Sequence, residues 1–207
     1  MQSPSKNRFP GQLIFNVVAV AFSFGILYFS IFKTSLDTMA KNNNDNKLRI
    51  EPIEFVMNKK NGEQEKCTYS LPEVKTLPNS PIYKVKELRD FMWILLSHEP
   101  LDKAKITLLV ADKKMNESLN LCKEKNYNLI LDTSEEAINK LKYAEEITSN
   151  INKESTDSKK LKEEINKAGL AYKEALIKMN TDKKIDQNKY NEIVTDLDKW
   201  NEENKER

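Results

Sequence analysis

His98 is the one histidine in a chain of 207 residues, and Glu99 follows it directly. An imidazole beside a carboxylate can move a proton near neutral pH, but acid–base catalysis also requires a nucleophile or metal and a pocket. Neither accompanies His98 in the sequence, so a surface or capping role is expected. The carboxylate pairs Glu135-Glu136, Glu145-Glu146 and Glu163-Glu164 could be general-acid pairs or cation ligands. Adjacent residues on a helix point apart, lysines interleave, and no loop of calcium-binding spacing is present, so these pairs read as solvated faces. Cys67 and Cys122 are single, distant from each other and without a matching histidine pair, which fits no metal pattern. A disulfide between them is open outside the cytoplasm, and two small buried thiols are the favoured reading because Cys122 falls on an apolar stripe. Asn116-Glu117-Ser118 matches a glycosylation sequon but lies inside a helical pattern, where chance accounts for it better. The sequence contains no glycine-rich phosphate loop, paired-cysteine motif or serine elbow. The chain is therefore read as non-enzymatic, with no catalytic residue, cofactor, metal or small-molecule substrate assigned.

The residues that remain are aromatic. Tyr83, Phe91 and Trp93, with Tyr69 before them, gather around one helical stretch, and an exposed subset would be a partner-binding patch. Core packing is the competing reading and the favoured one. Tyr127, Tyr143, Tyr172, Tyr190 and Trp200 are spread over later helices and follow their stripes.

The elements that position these residues are mostly helical. Only 4 Gly and 32% charged residues argue for long helices. Net charge is +2, and residues 1–47 hold five Lys/Arg against two Asp/Glu, leaving 29 against 30 in the rest. That balance lacks the clustered basic footprint of a nucleic-acid binder.

Residues 1–12 form a polar tail with Lys6 and Arg8 and no acid. Leu13 to Phe32 then has no charge and one Asn, long enough at about 1.5 Å per residue to cross a bilayer. A cleaved signal peptide is the rival reading; it needs a shorter apolar core and a small-residue site, for which Thr38-Met39-Ala40 is a poor match. An uncleaved signal anchor is favoured, with the N-terminus cytoplasmic and the C-terminal domain extracytoplasmic by the weak positive bias of its flank. Residues 33–47 are a polar linker. Within 48–75, Ile53 to Met57 and Cys67 to Leu71 alternate around Asn61-Gly62 and predict a small β-hairpin.

Five helices follow. Ser80 and Pro81 read as N-cap and first residue of the first, with Ile82, Val85, Leu88, Met92 and Leu95 as its stripe. Phe91, Trp93, Ile94 and Leu96 widen that stripe until the helix end should be central to a bundle. Glu99-Pro100 starts the second helix, whose face is Leu101, Ala104, Leu108, Ala111, Met115, Leu119 and Cys122. The third spans Tyr127 to Ser149. The fourth uses Leu161, Ile165, Ala168, Tyr172, Ala175 and Met179, and the fifth uses Ile193, Leu197 and Trp200 behind Asp186 as cap. The last two stripes are narrow and resemble a coiled-coil seam. The expected architecture is mainly α: a single transmembrane helix, a small hairpin, a three-helix core over 76–149 and an extended helical hairpin over 150–207. Leu108 and Ala111 are expected to face the first helix, and residues 180–207 to be dispensable for folding.

Leu77-Pro78-x-Ser80-Pro81-x-Tyr83-x-x-Lys86, the Pro100-x-x-Lys103-Ala104 corner, and Leu109-x-Ala111-Asp112-Lys113-x-x-Asn116-x-x-Leu119 resemble a helical domain-of-unknown-function family of bacterial envelope proteins. The resemblance covers roughly Leu71 to Ile147, weakening toward Met179, and departs at Glu99, where Asp is expected. It implies a domain behind a signal sequence or single anchor and lends no catalytic residues. Two function classes follow. One is a membrane-anchored scaffold or partner-binding module of the cell envelope with an unknown protein partner. The other is a transmembrane regulator relaying an outside signal to a cytoplasmic partner.

Overall fold

The computed structural model describes Ser23 and residues 52–58, 64–151, 155–181 and 183–205. The N-terminal tail, the apolar segment Leu13 to Phe32 apart from Ser23, the polar linker and Asn61-Gly62 lie outside the described residues. Contacts divide the chain into two units, Met1–Leu48 and Arg49–Arg207. Among the described residues, no helix is long and apolar enough to cross a membrane.

Two antiparallel strands, β1 (Ile53–Asn58) and β2 (Gln64–Tyr69), pair with Ile53 opposite Tyr69 and Phe55 opposite Cys67. The second strand sits earlier than expected, ending at Tyr69 rather than Leu71. The pleat turns Ile53, Phe55 and Tyr69 to one face, where they are buried. Leu71 is also buried, although it lies beyond the ladder. Five helices follow: α1 (Tyr83–Leu96), α2 (Pro100–Lys123), α3 (Tyr127–Ser149), α4 (Thr156–Met179) and α5 (Gln187–Lys205).

Helix starts separate good caps from poor ones. Ser155 and Ser158 form a capping box at α4, each side chain serving the other's backbone N–H at 3.1 and 3.0 Å. Asp186 accepts from the N–H of Asn188 and Lys189 ahead of α5. Pro100 opens α2 behind Glu99, which makes no side-chain cap bond. The first helix does not start at Pro81. Ser80 donates its N–H to Leu77 and accepts from Tyr83, a pair of tight turns that uses up the serine and delays α1 to Tyr83. Between α2 and α3 the chain reverses through Lys125 at φ 59, with the Asn126 N–H reaching back to Leu121 at 2.9 Å.

The helix α2 lies at the centre and is paired most extensively with α3. The α4 helix packs on α2, α3 and both strands, and α5 packs on α4 and α3. One apolar cluster runs through Phe55, Leu108, Met115, Leu141, Ile165 and Leu197, joining the hairpin to α2 through α5. The expected division into a three-helix core and an extended hairpin therefore gives way to continuous packing. Gly169 shows how close it is: a Cβ there would meet the Asn201 side chain and lie 2.6 Å from the Trp200 ring. The stripes of α3, α4 and α5 fall where their spacing put them, with Leu141, Ile165 and Leu197 fully enclosed. Tyr83, Ile94 and Val110 are buried but lie outside this cluster, so α1 is attached to the domain by other means.

Leu108 and Leu197 are thus both core residues. Each truncation to Ala should cost roughly 2–5 kcal/mol, and deleting 180–207 should abolish a cooperative transition. Unfolding followed by circular dichroism checks both. A truncated chain that still unfolds cooperatively, with Leu197→Ala costing under about 1 kcal/mol, would restore the separate hairpin.

Candidate functional site

Helix α1 faces the opposite way from its stripe. Ile82, Val85, Leu88, Phe91, Met92 and Leu95, expected inside, are 39% to 70% exposed. The side docked on α2 is polar: Tyr83, Lys86, Glu87 and Asp90, with Ile94 as its buried apolar member. Its partners on α2 are Lys114 and Glu117, one helical turn apart, in place of the expected Leu108 and Ala111, which belong to the main cluster. Glu117 is fully enclosed; it accepts from the Tyr83 hydroxyl at 2.6 Å and pairs with Lys86 at 2.6 Å. Lys86 also meets Asp90 at 3.1 Å, and both of its ion pairs are off the angles of a hydrogen bond. Lys114 reaches Glu87 at 3.0 Å and Glu136 of α3, and it lies over the Tyr83 ring, as does Lys86. Burial opposes the charge on Lys114, but its bonds to Glu136, Tyr83 and Glu87 outweigh that and hold its pKa above the ordinary value. Burial and the bond to Glu117 likewise raise that of the Tyr83 phenol. Taking such charges out of water is costly unless each is matched, and here each has an opposite charge within 3.1 Å.

The outward side has a definite composition. Val85, Leu88, Met92 and Leu95 succeed one another at helical spacing and form one apolar strip. Lys84 and Arg89 project on either side of it, while the only acids of α1, Glu87 and Asp90, lie on the docked side. A groove of about 380 Å³ runs beside the strip, between Phe91 of α1, Val110 and Lys114 of α2, and Glu136, Lys140 and Tyr143 of α3.

Of the aromatic residues singled out by type, Phe91 stands on this surface, 58% exposed. Trp93 is half-buried at its edge, beneath Arg89 and Lys113. Tyr83 is turned inward and unavailable to a partner, because its hydroxyl is needed by Glu117. His98 is exposed, with Nδ1 2.8 Å from the Leu96 carbonyl at the end of α1. No disulfide joins Cys67 and Cys122; both are half-buried, and the Cys122 thiol lies 3.8 Å from the Met179 carbonyl. The sequon is interior: Asn116 donates to the Pro72 carbonyl at 2.7 Å and Ser118 lies 2.6 Å from Ser134. Glu145, expected on a solvated face, is buried and accepts from Ser149.

A second polar centre has no counterpart in the sequence reading. Asp112 of α2 accepts from the Tyr172 hydroxyl of α4 at 2.8 Å and from the Tyr69 hydroxyl of β2 at 3.0 Å. All three side chains are buried. Burial pushes the Asp112 carboxyl up to about 7 against the pull of the two phenols, with Glu164 adding to the rise. Both phenols are raised in turn, by burial first and by Asp112 next. The triad fastens hairpin, α2 and α4 at one point. Only its polar spacing on an otherwise apolar face of α2 could have signalled it.

A family model described as a domain of unknown function (DUF5667) matches residues 75–206. No curated protein and no solved structure matches the chain.

Replacing Leu88 or Phe91 by Ala should change stability by less than about 0.5–1 kcal/mol, as at a surface. Glu117→Ala should instead release α1, speeding amide exchange in Tyr83–Leu96 roughly 100-fold or more. Hydrogen exchange and urea unfolding decide between them; the reverse order would put the apolar strip inside.

Asp112 sets a pH dependence with a defined sign. Its folded pKa of about 7 stands above the ordinary 3.8. Between these values the unfolded chain releases a proton that the folded chain keeps, so this group's contribution makes stability fall as pH rises, then level off above about 7. Asp112→Asn should remove a decline on the order of a few kcal/mol. Urea unfolding of both proteins at acidic and neutral pH should show the variant gaining on the wild type as pH rises.

Proposed function

This chain belongs to the family of the domain of unknown function DUF5667, and we propose that it is a membrane-anchored, non-catalytic helical module of a bacterial cell envelope that works by presenting the outer face of α1. The observation that carries this reading is the inverted docking of α1. A helix with five exposed large apolar side chains is fixed to the domain through Tyr83, Lys86 and Glu87, which leaves the apolar side for something else. Monomeric surfaces seldom expose apolar strips of this kind without an interaction to serve. The apolar, uncharged run Leu13 to Phe32 supports attachment to a membrane, and the polar stretch 33–47 supports a linker between that run and the domain. The buried ionisable residues already serve in fastening, Asp112 to two tyrosines and Glu117 to α1, which favours a binding module over an enzyme.

The full chain should stay with membranes after carbonate washing and keep its N-terminal residues. Release into the wash, or a mature N-terminus beginning near Lys41, would show cleavage and remove the anchor from the reading.

A further inference from the structure

We infer that the outward face of α1 docks on the surface of an anionic lipid bilayer. The inference rests on the anchored reading above and names what the exposed face meets. Three observations lead to it. First, charge on α1 is sorted by side. Glu87 and Asp90 face α2, whereas Lys84 and Arg89 flank Val85, Leu88, Met92 and Leu95. Lys84 meets Glu87 at 2.8 Å in an exposed pair that contributes little and leaves the ammonium able to meet a lipid phosphate, while Arg89 donates two N–H groups to the buried Asp90, at 3.0 and 2.6 Å, and keeps its remaining N–H groups for one. An apolar strip between two cations, with no outward acid, is the pattern of a helix lying in the plane of a bilayer interface.

Second, the tether is short. The apolar run ends at Phe32 and β1 begins at Ile53, so about 20 residues connect the two, and no conformation of such a stretch reaches beyond roughly 70 Å. A domain kept within that reach meets the bilayer surface at high effective concentration. Third, a second copy fits the face poorly. A two-fold contact of α1 on α1 would bring both copies' Lys84 and Arg89 together with no outward acid to receive them. The attachment of α1 outside the main apolar cluster also lets it sit at the rim of the domain, where a helix could sink its strip by about 5–10 Å.

The test uses the full chain in vesicles, with Cys67 and Cys122 replaced by Ala and a nitroxide on Leu88→Cys or, as reference, on Glu192→Cys in α5. Circular dichroism confirms that each variant is folded. Vesicles of phosphatidylcholine alone are compared with vesicles containing phosphatidylglycerol. In the anionic vesicles, the label at position 88 should collide with oxygen several-fold more, relative to a nickel chelate, than the label at position 192. The double change Lys84→Glu with Arg89→Glu should remove that difference. Equal aqueous exposure at positions 88 and 192 in anionic vesicles would overturn the inference. So would spin–spin broadening at position 88 that is independent of lipid charge, which would mark a second copy. Retention on neutral vesicles through carbonate washing reports the anchor separately, so failure of the anchor and failure of the face are told apart.

Discussion

Burial of α2 on nearly all sides is the constraint on which the other contacts depend. A helix with strand, helix and helix packed around it cannot be apolar all round without losing the means to tell its neighbours apart. Its sides are therefore chemically distinct. Leu108, Ala111 and Met115 meet the apolar cluster, Asp112 holds two phenols, Asn116 holds the Pro72 carbonyl, and Lys114 with Glu117 holds α1. Each of the polar contacts accepts or donates in a fixed direction, so each specifies one partner where a leucine would accept several.

This division explains why α1 is oriented as it is. Seating its apolar strip on α2 would require an apolar receptor, and the facing side of α2 carries Lys114 and a fully enclosed Glu117. Those two charges would be left unmatched by Leu88 or Met92, at a penalty larger than the gain from covering them. With Tyr83, Lys86 and Glu87 against them, every charge in the contact has a counterpart. The outward strip is the remainder of that choice.

Much of the architecture was legible from spacing. The α3 limits at Tyr127 and Ser149, the buried row Leu161, Ile165, Ala168, Tyr172 of α4 and the Asp186 cap of α5 all follow from local periodicity and capping chemistry. What spacing could not supply was the side on which a helix is covered. A stripe at three and four residues says that one face is apolar, but only the partner says whether that face is inside. For α1 the deciding residues, Lys114 and Glu117, lie more than twenty positions away on another helix. Asp112 was hidden for a similar reason: its two partners come from β2 and α4, and a carboxylate amid lysines ordinarily marks a solvated surface. The motif that could be read, Asn116-Glu117-Ser118, was legible as a sequon and is in fact three interior contacts.

The chemistry of the α1 attachment also separates its behaviour on heating from that of the rest of the domain. The cost of stripping water from Lys86 and Glu117 falls as temperature rises, because hydration of ions carries a strongly unfavourable entropy. Apolar burial per unit area gains little over the same range. Chain entropy opposes the Leu141 and Ile165 core and the docking of α1 alike as temperature rises, but only the ionic clasp sees its desolvation cost fall. The orientation of the outward strip therefore depends on an ionic contact whose response to heat differs in kind from that of the apolar core.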